Sequence, residues 1–171
     1  MMPYARLRGL PVLVTGARGG VRRLGTVEAL TFDVVAGAVT HVRVRRGRLR
    51  GGSVLPWSAV QAVGPEGIRV RLPDGPVAAP EHRELIGRPV LTDAGRARGT
   101  VLDAAFDPAT GRLEVVRTTC GALPAGRLRG LGDHALVVRS GPGRPRSGRS
   151  CARWPSAGSP RWWWSWARAS A

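Results

Sequence analysis

The sequence contains no lysine and no asparagine, and only two isoleucines, Ile68 and Ile86, in 171 residues. Without lysine there is no Schiff-base or PLP amine, no P-loop lysine and no kinase-type lysine. Chemistry that needs a side-chain amine is excluded. The three scarce residues share A/T-rich codons, so their joint scarcity points to a GC-rich coding sequence. All 27 basic residues are arginine, and part of that arginine content reflects mutational bias rather than a polyanionic partner.

Long apolar runs are missing too. No stretch approaches the roughly 18 residues that a membrane span needs. The apolar run over residues 10–14 is too short for a signal-peptide core, so a cytoplasmic location is expected. The two cysteines, Cys120 and Cys151, are too few for a disulfide framework and do not stand at metal-ligand spacing, so free thiols are expected. Before residue 140 the only aromatics are Tyr4, Phe32, Trp57 and Phe106.

What is present is a net charge of +16, unevenly placed. Residues 1–76 hold 12 Arg against 4 acids, residues 77–139 hold 9 against 7, and residues 140–171 hold 6 and no acid. The 24 Gly and 14 Pro favour many short elements with tight turns over long helices.

The chain repeats itself. Gly25, Thr26 and Val27 recur as Gly99, Thr100 and Val101, and Phe32, Asp33 recur as Phe106, Asp107, both at a spacing of 74 residues. Upstream, Gly9, Pro11 and Val12 match Gly87, Pro89 and Val90; downstream, Leu55, Pro56 match Leu123, Pro124, and Ile68, Val70 match Leu136, Val138. The spacing changes only where turns are expected, as a duplication tolerates.

Within each copy apolar residues alternate as in half-buried strands: Leu10, Val12, Val14, then Val27 to Phe32, then Val42, Val44, then Ile68, Val70. Val39, His41, Arg43 and Arg45 are expected on the outer side of the third strand. Residues 16–23 read as a glycine-rich loop, and residues 56–60 as one helical turn. Five or six short strands per copy and no long helix predict an all-β fold: two small, partly open antiparallel β-barrels in one compact unit. The expected units are residues 1–76, residues 77–139, and an Arg/Pro/Trp-rich tail over 140–171. That tail reads as disordered or as the product of a shifted reading frame.

These residues resemble the PRC-barrel family. Its Gly-x-Pro-Val opening appears as Gly9, Pro11, Val12, and its Leu-Gly-x-Val strand as Leu24, Gly25, Val27. Its later steps appear as Leu55, Pro56 and as Val63, Gly64. The second copy departs at Arg98 and in its polar third strand, Arg117, Thr118, Thr119. The resemblance implies tandem six-stranded barrels of the type found in the cytoplasmic part of the photosynthetic reaction centre H subunit and in the C-terminal domain of the ribosome maturation factor RimM. Either of those roles is transferable only by fold analogy.

The candidate chemistry is sparse. His41, His82 and His134 fall at different places in the repeat, so no metal, cofactor or catalytic set is expected. Asp33 and Asp107 read as turn caps. An enzyme reading would need a pocket gathering Asp33, His41 and Arg43. The residues expected to meet a partner are Arg43, Arg45, Arg46, Arg48 and Arg50 on one hairpin, together with Trp57. The sequence therefore predicts a non-catalytic, protein-binding adaptor or assembly module. RNA or ribosome binding through the arginines is the alternative, and peripheral membrane association through the Trp/Arg tail a further one.

Overall fold

The computed structural model describes residues 1–15, 20–47, 52–72, 80–81 and 83–140. The chain opens with a short strand β1 (Met2–Pro3) and one helical turn α1 (Tyr4–Leu7). Six strands follow: β2 (Pro11–Thr15), β3 (Val21–Asp33), β4 (Ala38–Arg45), β5 (Gly52–Pro56), β6 (Val60–Gly64) and β7 (Gly67–Val70). The second copy supplies β8 (Pro89–Thr92), β9 (Ala97–Phe106), β10 (Leu113–Thr118), β11 (Gly121–Pro124), β12 (Leu128–Leu131) and β13 (Leu136–Val138).

The two sheets have the same order. The first runs β5-β4-β3-β2-β7-β6 and the second β11-β10-β9-β8-β13-β12. All pairings along both paths are antiparallel except β2 with β7 and β8 with β13, which are parallel. A 3-10 turn at Trp57–Ala59 joins β5 to β6, and its counterpart Ala125–Arg127 joins β11 to β12. The mostly β, two-barrel architecture is the one that the alternation predicts. Strand β6 has no clear alternation, since Gln61 and Ala62 are both exposed. Strand β3 begins earlier than expected, at Val21, so Arg22 and Arg23 belong to a strand rather than to the glycine-rich loop.

Inward alternation builds the core. Val12, Val14, Val27, Leu30, Val42, Val44, Ile68 and Val70 are buried in the first barrel, and Val90, Val101, Val116, Leu136 and Val138 in the second. These side chains form one continuous apolar cluster through both barrels. Val39, expected on the outer side, is buried instead. An irregularity in register between Thr31 and Phe32 turns the start of β4 inward, and the Val39 amide donates to Gly111 of the second barrel at 2.8 Å.

The N-terminal segment crosses between the copies. Met2 and Pro3 pair with Phe106 and Ala105 on β9, while the Tyr4 ring stands edge-on to Phe32 at 5.9 Å. Leu7 and its repeat counterpart Leu85 are both fully buried. Among the described residues no helix is long and apolar enough to cross a membrane. The tail from residue 141 lies outside the described residues, as do His82 and Cys151. Cys120 is disulfide-bonded, which corrects the expectation of a free thiol there.

Candidate functional site

The arginine hairpin grows out of β4. Alternation places Val42 and Val44 in the core and leaves Arg43 half-buried and Arg45 exposed on the outer side. Arg43 lies opposite Val54 on β5 and Ala29 on β3; Arg45 lies opposite Gly52 and Thr26. Arg46 follows the strand and is exposed. Arg48 and Arg50 lie outside the described residues. Arg43, Arg45 and Arg46 form no ion pair with a described residue, in contrast to Arg83, which pairs with Glu81 at 3.0 Å and Asp133 at 3.4 Å.

Trp57 is not on this surface, which corrects its expected role. Its side chain is 8% exposed and stands edge-on to Phe106 of the second barrel, with ring centroids 5.4 Å apart. It also covers Gly111, where any Cβ would strike the indole. The ring is the apolar filling between the barrels, so it offers no anchor to an outside partner.

The two aspartates act as caps. Asp33 Oδ1 accepts from the amides of Val35 and Ala36, each at 2.9 Å. Asp107 Oδ1 accepts from Ala109 at 3.1 Å, and its Oδ2 from the Thr110 hydroxyl at 2.6 Å. These bonds hold the Asp107 carboxyl below the usual carboxylate range, the Thr110 hydroxyl contributing most.

A recess of about 400 Å³ does gather Asp33 and His41, but with Glu81 and Arg83 rather than Arg43. Its parts do not make an acid/base site. Asp33 is engaged in its turn, and Arg83 in its two ion pairs. Desolvation lowers the His41 pKa, and its Nδ1 is buried without a hydrogen-bond partner. Among the described residues no group of three or more His, Cys, Asp or Glu could hold a metal ion.

One buried acidic residue escaped the sequence reading. Asp103, on β9, is 4% exposed. Its Oδ1 accepts from the Ala5 amide of α1 at 3.1 Å and from Ala104 at 2.9 Å. Its Oδ2 is buried with no partner. Burial raises its pKa against those two bonds and the nearby Arg117 guanidinium. The signal available in the sequence was an acid at the repeat position where the first copy has Ala29.

Residues 81–144, which hold the strands of the second barrel, match the family model of the PRC-barrel domain. The first barrel lies outside the matched residues and repeats the same strand order. No curated protein matches the chain.

Proposed function

We propose that the protein is a non-catalytic, protein-binding adaptor or assembly module of the cytoplasm. Its two barrel units are residues 1–76 and 77–139, and its partner surface is the β4 hairpin with Arg43, Arg45 and Arg46, extended by Arg48 and Arg50. The observation that carries this reading is the contrast between sites. In the recess holding Asp33 and His41 the carboxylates are engaged, Asp33 by its turn amides and Glu81 by Arg83, while arginines of the first barrel stand outward without ion pairs to described residues. The PRC-barrel match supports a binding role.

In-cell crosslinking followed by mass spectrometry tests it. The chain has no lysine, so a carboxyl-directed reagent is used. Crosslinks to one or a few proteins, lost on replacing Arg43, Arg45 and Arg46 by Ala, are the expected result. Crosslinks to RNA alone would instead establish the RNA-binding reading, with affinity falling steeply as salt rises.

A further inference from the structure

One row of side chains on the outside of the first barrel differs in kind from its counterpart in the second. Ala62 on β6 is opposite Arg69 on β7, Arg69 is opposite Leu13 on β2, and Leu13 is opposite Arg23 on β3. Residues directly opposite each other share a face of the sheet. The row therefore reads small, cationic, apolar, cationic across four strands. Arg23 and Arg69 are exposed and Leu13 is half-buried.

The second barrel has the same row in the same register: Gly130, Val137, Leu91, Ala97. It carries no charge. A GC-rich gene raises arginine in both copies alike, yet the row is cationic only in the first. Neither Arg23 nor Arg69 makes an ion pair with a described residue.

Two recesses flank the row. One, of about 300 Å³, is lined by Leu13, Ala62, Val63 and Arg69, with Glu66 at the turn beyond them. The other, of about 380 Å³, is lined by Arg23, Gly25, Thr26 and Arg45. A Cβ at Gly25 would strike the Arg45 carbonyl, so only glycine permits this close approach of β3 and β4.

We infer that this row is a second docking surface beside the β4 hairpin, one that takes an acidic segment of a protein partner with an apolar residue between two carboxylates. The inference rests on the adaptor reading above and names the partner's chemistry. Guanidinium groups take carboxylates in bidentate pairs. Strand spacing sets Arg69 and Arg23 about 10 Å apart with Leu13 between them. An extended segment with carboxylates at i and i+4, about 13 Å apart, and an apolar side chain at i+2 lies within reach of two long arginine stems. Single-stranded nucleic acid fits less well, because it is held by stacking on exposed aromatics. The four aromatics among the described residues, Tyr4, Phe32, Trp57 and Phe106, are all buried.

The test is fluorescence anisotropy on the full chain with a fluorescein-labelled peptide, Glu-Ser-Leu-Ser-Glu repeated twice. A peptide with Ser in place of Leu and a ten-nucleotide oligouridylate serve as comparison probes. Saturable binding to the Leu peptide is expected, weakened about tenfold or more in the double variant Arg23→Glu, Arg69→Glu. Leu13→Ser and the Leu-free peptide should each lose several-fold, and the counterpart variant Ala97→Glu, Val137→Glu should bind as wild type does. Circular dichroism verifies that each variant is folded, and Arg23→Ala with Arg69→Ala repeats the measurement without charge reversal. Absence of saturable binding, equal binding by all variants, or tighter binding of the oligouridylate through the same arginines overturns the proposal. The crosslinking experiment separates the two readings. A partner captured equally by wild type and by the Arg23→Glu, Arg69→Glu variant leaves the adaptor standing and removes this surface; no protein captured by either removes the adaptor itself.

Discussion

Ala38 and Arg112 face each other across an antiparallel bridge, and they are the same position of the two copies. The hydrogen bonds around them exchange in the same way. Val39 donates to the Gly111 carbonyl and Leu113 donates to the Gly37 carbonyl, both at 2.8 Å. A contact in which residue i meets j and j meets i is isologous, the form that a two-fold homodimer interface takes. The duplicated chain holds its two barrels as such a dimer would, tip to tip through the β3–β4 and β9–β10 turns.

The first expectation is that the barrels unfold together. The core is continuous, β1 of the first copy pairs on β9 of the second, and Trp57 sits on Phe106. Each copy alone is near the lower size limit for an autonomous core. Scanning calorimetry should give one transition whose van't Hoff and calorimetric enthalpies agree. Two resolved transitions would show that the interface adds little.

The glycines of the two turns make a controlled pair. Gly37 has φ +66° and open space around it, whereas Gly111 has φ +74° and the Trp57 indole against it. Alanine at either position carries the left-handed backbone cost of about 1–2 kcal/mol. Gly111→Ala also pushes on the indole, an overpacking cost of about 1–3 kcal/mol more. Urea denaturation should place Gly111→Ala clearly below Gly37→Ala; equal values would mean that the indole moves aside freely.

Trp57 itself should be a stability residue. Trp57→Ala is expected to cost about 3–5 kcal/mol, and Trp57→Phe much less, with no change in binding to the acidic peptide. A variant that keeps its stability but loses peptide binding would return the indole to the partner surface.

Much of this molecule was legible because strands report themselves by alternation and turns by their chemistry. Val12 and Val14, Val42 and Val44, and Ile68 and Val70 fall inward as their spacing requires, and Gly37 and Asp33 shape the turn that their residue types favour. What stayed hidden depends on contacts between copies. Nothing local in Met2 and Pro3 indicates that they pair with Phe106 and Ala105. Trp57 follows Leu55 and Pro56 as an exposed partner anchor would, but the ring it meets is 49 positions further along the chain. The cationic row was hidden for a related reason. Arg23 and Arg69 are far apart in sequence, and only the parallel pairing of β2 with β7 sets them on either side of Leu13.

Asp103 makes stability depend on pH in a direction opposite to that of a salt-bridged aspartate. Burial raises its folded pKa above the ordinary 3.8, so the folded protein takes up the proton first. Its contribution is greatest below that ordinary value and is lost as pH rises through the raised one. Asp103→Asn keeps an Oδ1 to accept from Ala5 and Ala104 and removes the charge. The variant should therefore gain stability relative to wild type as pH climbs out of the acid range, with the two converging at low pH. Asp103→Leu should fall below both, since the Ala5 amide that ties α1 to β9 is left without its acceptor, at a cost of about 1–3 kcal/mol. Thermal melts of the three proteins across the acid-to-neutral range check this. A wild type that gains stability over Asp103→Asn with rising pH would mean that Arg117 and the two amides outweigh burial at this carboxylate.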